Sequence, residues 1–155
     1  MNNLIQRSIT GILFVVLLIG GILYSPFTFG LLFALITGLS LWEFARLVNS
    51  KEDVSVNPFI TTMGGVLLFL AFFCYCTEAS DARIFIPYLL ILIYLFVSEL
   101  YRKQSSPLNN WAYSFLSQIY VALPFALLCV LAFQRNTDLS ESSPVSFNAI
   151  LPLSV

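Results

Sequence analysis

The sequence predicts an all-α fold, a polytopic transmembrane helical bundle of about five complete spans plus the start of a sixth. Composition carries the first part of that prediction. Hydrophobic residues make up 59% of the chain and charged residues 10%, with a mean hydropathy of +0.90. A water-soluble domain is about 45–50% apolar and about 25% charged, because its wet surface needs charge. The distribution of charge carries the second part. The few charges cluster, and between clusters lie apolar runs of roughly 17–23 residues, enough to cross a hydrocarbon core of about 30 Å as helix. Lipid offers the backbone no hydrogen-bond partner, so only helices and closed barrels span it. A barrel strand alternates apolar and polar residues. The run Ile12 to Tyr24, ILFVVLLIGGILY, does not alternate.

The first span is expected at about Ser8–Tyr24. Arg7 and the run after it resemble a signal peptide. However, the run is long and no small-residue cleavage site follows, so an uncleaved span is expected. Ser25-Pro26 leaves room only for a tight turn into the second span, about Phe27–Val48, making a helical hairpin. The third, about Pro58–Cys76, opens with Asn57 as cap and Pro58 in the first turn. The fourth, about Ile84–Tyr101, has Asp81 available as a cap and Pro87 early within it. The fifth, about Trp111–Phe133, has Asn109 and Asn110 before it as candidate caps. Gln134 to Ser146 reads as an exposed loop, and a sixth span begins near Phe147.

Lys and Arg placement favours a cytoplasmic N-terminus. On that topology Arg7, Arg46, Lys51, Arg102 and Lys103 lie inside, and only Arg83 and Arg135 outside. Trp42, Tyr101 and Trp111 then fall near the inner interface, and Tyr24, Tyr75 and Tyr88 near the outer one.

Two carboxylates lie close to apolar spans, where an ionised group is costly and points to function. Glu43 and Glu99 each have an arginine three positions on, Arg46 and Arg102, on the same helix face. The expected role is an interfacial ion pair; the alternative is the lining of a polar cavity or lipid-headgroup site. Gly30, Ala34 and Gly38 form a small-residue row that lets another helix approach, within the chain or across a possible homodimer. Pro124 removes a helix donor and frees the Tyr120 carbonyl, which predicts a kink. Ser117 or Gln118 could face a polar interior beside it. Gly20-Gly21 and Gly64-Gly65 sit inside spans and read as close-packing points.

Other functions are excluded by what the sequence lacks. A net charge of −1 recommends no nucleic-acid partner. Cys74, Cys76 and Cys129 lie in apolar stretches and read as free membrane-buried thiols. The chain has no histidine, which removes Ser-His-Asp and Cys-His arrangements and histidine metal sites. No phosphate-binding glycine loop and no acidic cluster fit for magnesium and a nucleotide is present. The residues assign no catalytic, cofactor-binding or metal-ligating position.

The order of several motifs is nevertheless familiar. Arg7-Ser8-Ile9-Thr10-Gly11, the hairpin through Tyr24-Ser25-Pro26, and Leu41-Trp42-Glu43-Phe44 resemble the opening of bacterial phosphatidate cytidylyltransferases, the CDP-diglyceride synthases. Asn109-Asn110-Trp111-Ala112-Tyr113-Ser114, Pro124 and Ile150-Leu151-Pro152-Leu153 look like the same family, in its Bacteroidetes-like form. The resemblance implies a multi-pass inner-membrane enzyme of phospholipid biosynthesis. Such an enzyme joins CTP to phosphatidate with magnesium, giving CDP-diacylglycerol and pyrophosphate. The family's signature, near its C-terminus, has a Pro-Gly-His-Gly-Gly turn and an Asp-Arg-x-Asp end, and none of it matches here. Residues 1–155 are therefore expected to be the N-terminal transmembrane scaffold of a longer enzyme, inactive alone and binding no magnesium. Its expected partners are membrane lipids, and phosphatidate and CTP for the full-length enzyme. The alternatives are a segment of a multi-pass transporter or channel, suggested by Glu43, Glu99 and the Pro124 kink, and a small membrane-assembly protein without chemistry.

Overall fold

In a computed structural model, residues 3–51, 54–101, 107–134 and 146–147 are described. Helix α1 spans Asn3–Tyr24, α2 Pro26–Val48 and α3 Pro58–Cys76. A 3-10 turn, Ala82–Phe85, leads into α4, Ile86–Tyr101. The fifth span is α5, Pro107–Ser117, then a π turn, Gln118–Ala122, then α6, Leu123–Ala132. Five of these stretches are long and apolar enough to cross a membrane. Their ends alternate, so Val48, Pro58, Tyr101 and Pro107 share one end of the bundle (the Lys51 end). Tyr24, Cys76, Ala82 and Ala132 share the other (the Ser25 end).

The surface is inverted relative to that of a protein folded in water. Leu31, Leu35, Leu39, Leu89, Leu90 and Ile93 are exposed, while Thr37, Thr61, Asn110, Ser114, Ser117 and Gln118 are buried. In water such an apolar exterior would be one continuous association patch. Against acyl chains it is the matched surface, and the polar groups collect where they can bond each other. Nearly all of α1 is exposed in this way, with only Ile22 buried at its end.

Local chemistry sets the span edges. Ser25 alone separates α1 from α2; its Oγ accepts from Phe27 N at 3.3 Å, and Pro26 fills the first turn. Asn57 Oδ1 accepts from Phe59 N at 3.1 Å and Ile60 N at 3.4 Å, with Pro58 behind it. Both edges follow the sequence reading. The fifth span does not. Its helix begins at Pro107, four residues before the expected edge, so Asn109 and Asn110 lie inside the first turns rather than capping them. Proline fits the first helical position because it lacks an N–H that would have no partner there. Asp81 holds the cap position of the 3-10 turn without a side-chain bond to it.

Beyond the fifth span, Phe133–Gln134 pairs antiparallel with Ser146–Phe147, in register Phe133↔Phe147. The expected start of a sixth helix near Phe147 is thus extended backbone, and Asn148 onward lies outside the described residues. So does most of the loop expected between Gln134 and Ser146.

Helix α3 is the hub, packed against α2, α4, the π turn and α6. The α2 row faces it: a Cβ on Gly30 would meet the Phe73 ring, and one on Gly38 would meet Val66 at 3.3 Å. The small-residue row therefore serves packing within the chain. Phe29, Phe33, Phe69, Cys129 and Phe133 fill the Ser25 end, with Phe73 and Phe133 rings edge-on at 5.7 Å. Leu41, Leu68, Ala122 and Ala126 fill the middle. All three cysteines are free thiols, Cys129 fully buried.

α3 ends in a Schellman turn, with Ala79 N donating to Cys74 O at 3.0 Å and Glu78 N to Tyr75 O at 3.2 Å. The turn puts Glu78 at φ 56°, the left-handed region that a side chain disfavours. Glu78→Gly is expected to stabilise the protein by about 1 kcal/mol, read as a higher unfolding temperature in detergent.

Candidate functional site

The polar interior begins on α5. Asn110, Ser114, Ser117 and Gln118 recur at spacings of three and four, so they form one stripe, and each is 3% exposed or less. Thr61 on α3 and Glu99 on α4 are buried with them. Polar groups inside a span are stable only where they bond one another, so this stripe marks the inner face of α5.

Gln118 lies at the stripe's far end from Lys51. Its Nε2 donates to Thr61 O at 2.8 Å, which joins the fifth span to the hub helix. The carboxamide lies against Gly64 and Gly65; a Cβ on either would come within 3.5 and 3.3 Å of Oε1. The glycine pair is thus a close-packing point: Gly65 makes room for Leu41, Ala122 and Gln118, and Gly64 for Ile91 and Gln118. The backbone deforms at the same residue. Pro124 cannot donate to Tyr120, and the chain widens into a π turn in which Leu123 N bonds Gln118 O. The kink expected from Pro124 takes this form, and Gln118 is the residue that faces the interior beside it.

Toward the Lys51 end the stripe clamps a loop. Asn110 Oδ1 accepts from Ser55 N at 2.8 Å. Asn49 pairs with Val56 through both amide atoms, receiving its N–H at 2.7 Å and donating to its carbonyl at 2.8 Å. Lys51 Nζ donates to Tyr113 OH at 2.9 Å and sits 4.9 Å from that ring's centre. Val48, Val54 and Val56 pack beneath. The α2–α3 connection is thereby fixed against α5.

The two singled-out carboxylates separate. Glu43 is exposed and pairs with Arg46 at 3.7 Å, as the surface ion-pair reading expects; such a pair contributes little to stability. Glu99 is 2% exposed and lies inside the bundle, as the polar-cavity alternative expects, while the ion pair expected with Arg102 falls outside the described residues. Arg102 and Lys103 lie outside the described residues. Arg46 and Lys51 are exposed at one end of the bundle, Arg83 at the other.

Among the described residues no three acidic or thiol side chains converge as a metal would need. Glu43 is on α2 and already paired, Glu99 is on α4, and Glu78 and Asp81 belong to the opposite end. The donor set among the described residues does not suit magnesium. What these residues do is position: a bonded stripe, a glycine notch and a clamped loop hold three spans in register.

No curated relative and no solved structure matches the chain. A sequence profile does, over residues 5–143, which take in all five spans, and by that match the chain belongs to the cytidylyltransferase family, the one that includes the phosphatidate cytidylyltransferases.

Proposed function

We propose that this chain is the N-terminal membrane scaffold of a phosphatidate cytidylyltransferase in a bacterial inner membrane, with its N-terminus cytoplasmic. The enzyme joins CTP to phosphatidate, releasing pyrophosphate and leaving CDP-diacylglycerol in the bilayer. The observation that carries this reading is the family match laid along a five-span bundle. The substrates explain why the enzyme needs such a part. Phosphatidate keeps its acyl tails in lipid and its phosphate at the interface, while CTP arrives from water. A membrane-embedded wall with a fixed interfacial edge lowers the entropic cost of bringing them together. The clamped residues 49–51 and 54–57 form that edge. Arg46 and Lys51 lie at that end, and juxtamembrane cations there attract anionic headgroups of the inner leaflet. The nucleotide and any magnesium belong, on this reading, to residues beyond Val155.

The test is turnover. Full-length protein given CTP, magnesium and phosphatidate in mixed micelles is expected to form CDP-diacylglycerol, and residues 1–155 alone to form none. Absence of product from the full-length protein overturns the substrate assignment. Turnover by the shorter chain overturns the scaffold role.

A further inference from the structure

We infer that the seam between α2 and α3 holds one acyl chain of an anionic membrane phospholipid, with the headgroup at Arg46. A groove of about 560 Å³ runs along that seam, from Phe27 and Phe73 near the Ser25 end to Thr62 and Trp42 near the Lys51 end. It opens outward, since the exposed Leu31, Leu35 and Leu39 form one of its rims. Ala34 and Gly38 line it behind that rim, and their small size leaves the hollow. The lining is apolar; even Thr62 presents its methyl group, 3.9 Å from where a Cβ on Gly38 would stand.

Size selects the occupant. From Phe27 to Trp42 the helix rises about 22 Å. The groove's volume over that length is a bore about 6 Å wide. A helix with its side chains is about 10–12 Å across and does not enter it. A hydrocarbon chain, about 4 Å thick at van der Waals contact, does. Half of a bilayer's hydrocarbon core is about 15 Å deep, so a chain entering beside Trp42 lies in the groove along its length and ends near Leu31. Charge places the headgroup. Tryptophan favours the membrane interface, and Arg46 is exposed one turn beyond Trp42 on the same face. Its contact with Glu43, at 3.7 Å between two well-exposed side chains, leaves most of the guanidinium N–H groups to a phosphate. One arginine matches the single charge of a phosphodiester, so the occupant is a resident bilayer lipid rather than the reacting phosphatidate, whose monoester carries more. The site needs only a bilayer around the bundle and does not depend on which substrate the enzyme uses.

Trp42 lines the groove and reports on it. The test uses full-length protein with every other tryptophan changed to phenylalanine, in phosphatidylcholine nanodiscs. Chain-brominated phosphatidylglycerol, phosphatidylcholine and phosphatidate are each titrated in as quenchers of Trp42 emission. Phosphatidylglycerol is expected to half-quench at a mole fraction about fivefold lower than phosphatidylcholine, and Arg46→Gln to remove that difference. Ala34→Phe, which fills the bore, is expected to remove it too in a protein that keeps its unfolding temperature. Equal quenching by the two diesters, or a preference that survives either substitution, overturns the site. Quenching by phosphatidate alone overturns the assignment to a resident lipid. No quenching by any of the three means that protein covers the groove, which also overturns it.

Discussion

Gly65→Leu is expected to prevent recovery of a monodisperse protein in detergent, and Gly65→Ala to lower stability by about 2 kcal/mol. A Cβ at position 65 would overlap Leu41 Cδ1, lie 3.1 Å from Ala122 Cβ and reach 3.3 Å from Gln118 Oε1. The leucine tip could turn away only by disturbing a fully buried core, and Ala122 has no rotamer to turn. Either α3 separates from α2 and the fifth span, or Gln118 leaves its notch and its bond to Thr61. Gly20 is the control. A Cβ there meets nothing within 4 Å, so Gly20→Ala adds helix propensity without a clash and leaves stability unchanged or slightly higher. Recovery on size-exclusion chromatography tests Gly65→Leu, and thermal unfolding in one detergent separates Gly65→Ala from Gly20→Ala; a Gly65→Ala protein as stable as Gly20→Ala would contradict the close approach.

The contrast between these glycines shows where sequence reasoning stops. Gly20-Gly21 and Gly64-Gly65 look alike in one dimension, each a pair inside an apolar run. In the first pair Gly20 faces open space and a Cβ on Gly21 would meet only the Leu32 tip, at 2.6 Å, whereas Gly65 meets Leu41, Ala122 and Gln118 where α2, α3 and the π turn cross. Edges set by neighbours in the chain were legible: Ser25-Pro26 and Asn57-Pro58 carry their caps within three residues. The Glu43–Arg46 pair was legible for the same reason, since three residues on a helix is one face. Asn110 was misread as a cap because its true partner, Ser55, is fifty-five residues away. Nothing local distinguishes an asparagine that caps its own helix from one that holds a distant loop. Pro124 announced a distortion, but its resolution as a π turn at Gln118 depended on what α3 presents opposite. Glu99 was the hardest, because its burial is a property of the helices around it and its sequence neighbours matched those of Glu43.

Gln118→Ala is expected to cost about 2–3 kcal/mol and Gln118→Leu about 1 kcal/mol, and the gap between them measures packing against hydrogen bonding. Both remove the bond to Thr61 O and free Oε1's place beside the glycine pair. Hydrogen bonds between helices within a membrane contribute only about 0.6 kcal/mol on average and reach about 1.7, because the separated helices find other polar partners in lipid. The bond alone therefore cannot account for a large loss. Alanine also leaves a hole between α3 and the π turn, and the lining atoms forfeit their contacts. Leucine refills much of that volume with branched carbon, at some strain against Gly64 and Gly65. If unfolding in detergent shows both variants equally weakened, the seam is held by its hydrogen bond and the notch is incidental. If leucine restores more than half the loss, shape sets the register of the three spans and polarity fixes which rotamer fills it. The second outcome is the expected one, since Gln118 packs against both glycines while its bond to Thr61 is worth little in lipid.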